Sequence, residues 1–182
     1  GAQMNGGELS GRLGLRGWPA VAEEAIIARD VLLAEHVGSR LHVCHLSTRG
    51  SVEILRWAKN RGIDVTAEVT PHHLLLDDDL VRGYNPIFKV NPPLRSKDDV
   101  IAVREGLADG TIDIVATDHA PHAPHTKEAP LDEAPPGMLG LETALALAIT
   151  ELDMPLASIV AALSWQPAAI AGVADRHGRP LV

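Results

Sequence analysis

The stretch DIVATDHAPH, Asp113 to His122, runs from the apolar strand-formers Ile114, Val115 and Ala116 into Asp118, two histidines and a proline. A short apolar run that stops at a carboxylate reads as a buried strand whose end faces a site. Two further runs share this design. RLHVCHLS leads to Cys44 and His45, and IDVTAEVTPHHLLL, a strand interrupted at Pro71, leads to His72 and His73. Helical patterns separate them. In SVEILRWAKNRG, Val52, Leu55 and Ala58 share a face, with Ser51 opening the helix and Gly62 closing it. In SKDDVIAVREGLADG, Ser96 is the N-cap, Asp99 supplies the capping-box acid, and Val100, Val103 and Leu107 form one stripe. Strand, helix, strand, helix, strand is the signature of right-handed parallel βαβ units, in which chemistry gathers at the carboxyl ends of the strands. A lone Asp after a strand reads first as a turn or cap. Ligand-type residues at three strand ends shift the reading to a site.

Upstream, PAVAEEAIIARDVLLAEHVG starts at Pro19, places Val21, Ile27, Val31 and Ala34 near helical spacing, and stops at Gly38. Residues 1–18, glycine-rich and without apolar periodicity, read as a loop entering that helix. After Thr117 the stretch HAPHAPHTKEAPLDEAPPGMLG runs on without periodicity, and such connections beyond ~12–15 residues are usually functional or disordered. LETALALAITEL and LASIVAALSW close the chain as helices. Trp57 and Trp165 lie on helical patterns and are expected in the core.

With 46% hydrophobic and 22% charged residues in 182, the chain can bury a sizeable core. A formal charge of -8 and no block of Lys or Arg exclude a nucleic-acid or membrane-surface partner as the default. Cys44 is the single cysteine, so no intrachain disulfide exists, and without a bilayer-spanning run or a signal peptide the default address is cytoplasmic. No glycine run matches a P-loop or dinucleotide fingerprint.

His45 and Asp118 suit a hydrolytic metal site: neutral imidazole and carboxylate both bind zinc, and a carboxylate beside an activated water can take its proton and pass it on. His42 alternates with Cys44 and shares its face, whereas His45 takes the other face if the strand stays regular. His72 and His73 suit ligands, supporting donors or helix caps. Asn91 precedes Pro92 and Pro93, which fix its backbone, and Arg95 offers a fork for a carboxylate, although its commonest role is a surface ion pair. Cys44, without an activating neighbour other than His45, is a poor nucleophile.

As a set, HVCHLST, VTAEVTPHHLLL, FKVNPPLRSKDD, GTIDIVATDHAPH and PPGMLGLETAL resemble, in that order, the carboxyl-terminal half of bacterial dihydroorotase of the longer type, in the amidohydrolase superfamily. Hydantoinase and allantoinase share the layout but tend to differ where this sequence reads NPPLR and TDHAPH. The resemblance implies an α/β fold, the carboxyl-terminal part of a (β/α)8 TIM-type barrel, about strands 6 to 8 with their helices, as one partial domain over residues 1–182. It implies a two-zinc (Zn2+) centre and reversible hydrolysis of the cyclic amide of L-dihydroorotate to N-carbamoyl-L-aspartate, a step of pyrimidine biosynthesis. By the same resemblance His45 matches a zinc ligand at the end of the sixth barrel strand. Asp118 matches the eighth-strand residue that binds zinc and shuttles the proton. Asn91 and His122 match substrate-contacting positions, and Pro136 and Gly137 match a loop whose backbone meets the substrate.

The family's first-strand His-x-His pair, fourth-strand bridging residue and fifth-strand histidine have no counterpart in this sequence. The expectation is a fragment that is inactive alone and that associates with the missing amino-terminal half or with itself. Two other readings stand beside this one. Another cyclic-amide hydrolase is disfavoured by Asn91 and His122, which suit a substrate carboxylate; a non-catalytic half-barrel would serve as a structural partner.

Overall fold

The structure, a computed structural model, describes residues 2–178. Residue 1 and residues 179–182, the ends of the expected domain, lie outside the described residues. In chain order the elements are β1 (Met4–Asn5), α1 (Glu8–Leu13), β2 (Gly17–Trp18), α2 (Ala20–Val37), β3 (Leu41–Val43), α3 (Arg49–Asn60) and β4 (Val65–Val69). There follow α4 (Pro71–Leu75), α5 (Lys97–Ala108), β5 (Ile114–Val115), α6 (Pro124–Lys127), α7 (Ala144–Glu151), α8 (Leu156–Leu163) and α9 (Trp165–Ile170).

β3, β4 and β5 lie side by side in that order, all parallel, with His42 opposite Thr66 and Val69 opposite Val115. Period-2 alternation decides the two faces. Val65, Ala67 and Val69 are buried, and with Val43 and Val115 they join one core with Val31 of α2, Leu55 of α3 and Val103 of α5. The opposite face carries His42, Thr66 and Glu68, half-buried. Leu55 is fully buried, and its replacement by Ala would cost about 2–5 kcal/mol.

The expected signals terminate the helices. Gly38 caps α2 with left-handed backbone, Thr48 Oγ1 accepts from Ser51 N at the start of α3, and Ser96 and Asp99 form a reciprocal capping box on α5. The helix assigned to Ser51 thus begins earlier, at Arg49. No helix among the described residues is long and apolar enough to cross a membrane.

Several expectations are corrected. Residues 2–18 are not a plain loop: β1 and β2 pair in parallel around α1, Met4 is buried, and it packs with Val81 and Leu131 in a second, smaller core. Two-residue strands are too short to show periodicity. Gly17 permits the pairing, since a Cβ there would lie 2.4 Å from Gly6 Cα. The strand does not resume after Pro71. Thr70 and Pro71 form an N-cap and first turn, and Thr70 Oγ1 accepts from His73 N. Trp57 and Trp165 are each 43% exposed, not core, and Trp57 lies under the Arg61 guanidinium at 5.1 Å. Val21 is exposed on α2. Arg95 is not on the surface: it is buried, for reasons given below.

Candidate functional site

Because the three strands are parallel, their carboxyl ends reach one edge of the sheet, and His45, Thr70 and Asp118 follow there. The ladder does not stop at His45. Leu46 N still donates to Glu68 O at 2.9 Å, so His45 is a single residue of left-handed backbone, φ 52°, set within continuing pairing. That twist overrides the alternation expected of a regular strand. His45 approaches the same Glu68 carboxylate as His42, with Nε2 3.7 Å from Oε1, while His42 Nε2 lies 3.2 Å from Oε2. Asp118 also has left-handed backbone, φ 44°, and its Oδ1 lies 3.5 Å from His45 Nε2. Non-glycine residues in this region are uncommon and concentrate at functional sites, with Asp and His among the types that tolerate it best.

Glu68 is the residue that sequence reasoning missed. Its signal was a carboxylate on the half-buried face of a strand otherwise built of Val, Ala and Thr. It completes a line of polar groups: Thr66 Oγ1 bonds His42 Nδ1 at 2.7 Å, His42 meets Glu68, and Glu68 meets His45. Cys44 Sγ joins His42 and Glu68 with donor atoms mutually within 4.8 Å. Burial, and then the Glu68 charge, push the Cys44 thiol up, which agrees with its poor prospects as a nucleophile.

His72 and His73 sit on α4, both buried, with ring centroids 4.6 Å apart. His73 Nε2 donates to Pro92 O at 3.0 Å and its Nδ1 accepts from Thr70 Oγ1 at 2.8 Å. The neutral ring braces α4 against the Asn-Pro-Pro segment. Burial lowers its pKa to about 4. His72 Nε2 is the one buried side-chain polar atom without a partner among the described residues. Burial, with the neighbouring His73 and then His45, takes the His72 pKa down to about 2.

The loop after β5 brings His122, Pro136 and Gly137 together. His122 Nε2 donates to Pro136 O at 2.9 Å, and Gly137, φ 136°, leaves no room for a Cβ, which would meet Ala120 Cβ at 2.7 Å and His122 Nε2 at 2.9 Å. Asn91 is exposed and lines a cavity of about 310 Å³ with Pro136; His122 and Gly137 line another, of about 330 Å³. His119 Nδ1 accepts from Gly140 N and Leu141 N, tying down the far end of the loop.

Arg95 supports the site from beneath. Its guanidinium donates to Ser47 Oγ (3.0 Å), Trp18 O (2.7 Å) and Asn5 Oδ1 (3.0 Å) and pairs with Glu23 at 3.4 Å. Glu23 in turn accepts from Ser47 N and Ser51 Oγ. The turn that carries His45 is held two residues downstream by this buried network.

His45 and Asp118 are spaced as two ligands of a metal ion can be. Ligands around a tetrahedral zinc with bonds near 2.0–2.1 Å stand about 3.3 Å apart, close to the spacing of the His45 and Asp118 donor atoms. A model of dihydro-orotase-like proteins matches residues 1–51. Over the whole chain the sequence is 66% identical to dihydroorotase of Streptomyces coelicolor and 64% identical to that of Leifsonia xyli. The chain is similar over its whole length to dihydroorotases. It spans 43% of the length of the first relative and 42% of the second. Among solved structures, L-hydantoinase (dihydropyrimidinase) from Arthrobacter aurescens superposes with a TM-score of 0.84 at 32% identity, over 92% of this chain and 39% of that one. D-hydantoinase (dihydropyrimidinase) from a Thermus species superposes at 0.80 with 26% identity, over 90% of this chain and 38% of its own. The fold is therefore part of a barrel with parallel strands, as expected. Both groups of relatives belong to the amidohydrolase superfamily, whose members are generally metal-dependent.

Proposed function

We propose that this chain contributes the later strands of a dihydroorotase, catalysing zinc-dependent, reversible hydrolysis of L-dihydroorotate to N-carbamoyl-L-aspartate. The observation that carries the reading is the meeting of His45 and Asp118, from different strands, through left-handed backbone at each strand end. Sequence identity across the whole chain supports the choice of substrate. Residues 1–182 form one partial barrel domain in this reading, and two zinc ions occupy the complete centre.

His45 and Asp118 would hold zinc. When bound, the metal supplies Lewis-acid polarisation of the amide carbonyl and a water nucleophile acidified toward neutral pH. Asp118 accepts the proton of the attacking water and returns it to the departing amide nitrogen, serving as general base and then general acid. Glu68, 3.7 Å from the same His45 Nε2 that faces Asp118 and 3.2 Å from His42, places a second carboxylate at the edge of the centre. Asn91 and His122 bind the substrate carboxylate, and the Pro136–Gly137 backbone meets the ring. Gly137 suits that role because no side chain fits between its backbone and His122.

A second reading, hydrolysis of a hydantoin, is favoured by the superposition on L-hydantoinase. Parallel assays of the protein with L-dihydroorotate and with a hydantoin separate the two. Preference for dihydroorotate is expected, and faster turnover of the hydantoin would overturn the assignment.

A further inference from the structure

The loop between β5 and α7 has little apolar anchorage; Leu131 and Ala134 are its buried apolar side chains, and Leu139 is 71% exposed. Two ammonium groups cross it instead. Lys127 Nζ donates to Pro86 O (3.0 Å), Lys89 O (3.3 Å) and Pro135 O (2.9 Å). Lys89, itself buried, sends its Nζ to Leu131 O (2.7 Å) and Asp132 O (3.1 Å), while its own carbonyl also accepts from Gly137 N (2.9 Å). Among the described residues neither lysine forms a salt bridge, and the hydrogen bonds of both ammonium groups go to backbone carbonyls. Burial lowers both lysine pKa values, and for Lys127 the neighbouring Lys89 charge adds to this. An ammonium whose hydrogen bonds all go to backbone carbonyls of separate segments serves there through its three divergent donors.

We propose that Lys127 and Lys89 are positioning residues that fasten the 119–138 loop to the 86–91 segment, so that His122 and the Pro136–Gly137 backbone keep a fixed place relative to Asn91. The inference rests on the reading of those four residues as substrate contacts. Lys127 ties two other chain segments to its own at one atom: the turn 86–89, through Pro86 O and Lys89 O, and Pro135, the residue before Pro136. Lys89 holds the far limb of the loop at Leu131 and Asp132. Loss of either leaves carbonyls unpaired and frees the limb that carries Gly137.

The test uses Lys127→Met, of similar volume without donors, and Lys127→Arg, which keeps charge and donors, in the full-length protein. Expected for Lys127→Met is a KM for dihydroorotate raised about tenfold or more, with kcat within about threefold, bound metal unchanged, and proteolysis within 120–138 accelerated about tenfold. Lys127→Arg should fall between the parent and Lys127→Met in both KM and protease protection. Lys127→Met with parental KM overturns the positioning role, as does a loss confined to kcat or metal. If the protein turns over no dihydroorotate, the substrate reading falls, and proteolysis still judges the clamp: an equally protected loop in Lys127→Met overturns it.

Discussion

His45 and Asp118 end different strands, both hold left-handed backbone, and their Nε2 and Oδ1 atoms lie 3.5 Å apart. Each such conformation costs of order 1–3 kcal/mol and persists only where the surroundings over-determine it. Here the surroundings are the continuing ladder at Leu46 and the Arg95–Glu23 network below Ser47. Asn tolerates this backbone nearly as well as Asp, so Asp118→Asn isolates chemistry from folding. Activity should fall by ~10²–10⁴ from loss of the base, with more lost through the metal, while far-UV circular dichroism stays parental. Activity within a few fold of the parent refutes the role.

His122→Ala removes the donor to Pro136 O without touching the strand ends. KM for dihydroorotate should rise with metal content unchanged. Loss of metal would place His122 among the ligands, and unchanged kinetics would remove it from the substrate contacts.

Arg95→Met should destabilise by about 3–5 kcal/mol, since it strands the Glu23 carboxylate in a buried site. Arg95→Lys should recover little, because one ammonium cannot reach Ser47, Asn5 and Trp18 in the directions of a guanidinium fork. Denaturant melts of the two variants check this; a parental midpoint for the lysine variant contradicts it.

The pH dependence of stability follows from the two buried histidines. Both are held neutral in the folded state, with pKa values lowered from 6.5 to about 4 for His73 and about 2 for His72. The unfolded chain binds the protons first, so their stabilisation is full above pH 6.5 and declines as pH falls toward the folded values. Between pH 6.5 and 4 the loss should be of the order of 3 kcal/mol per histidine. Thermal melts should be flat from pH 7 to 8 and drop steadily below 6.5. His73→Gln should flatten part of that slope, and an unchanged slope in it contradicts the assignment.

The parts of the fold legible in the sequence are those carried by local rules. Capping at Ser96 and Gly38 and the apolar stripes of α3 and α5 locate helices, because each signal lies within a few residues of what it specifies. Asp118 and His45 were legible as strand-end residues. Their meeting was not, since it depends on two φ values that no periodicity encodes. Arg95 and Glu23 are separated by 72 residues, so their burial as a pair is a tertiary fact. Trp57 shows the converse error: its helical spacing is sound, but it falls on the solvent side, where Arg61 covers it.

Equilibrium dialysis of the full-length protein and its His45→Asn variant against zinc, with dihydroorotate turnover measured on the same samples, tests the central claim most directly. Asn keeps the left-handed backbone and removes the imidazole. The account predicts that the variant binds at least one zinc fewer per protein and loses nearly all turnover; a variant with the parental zinc complement and parental turnover would contradict it.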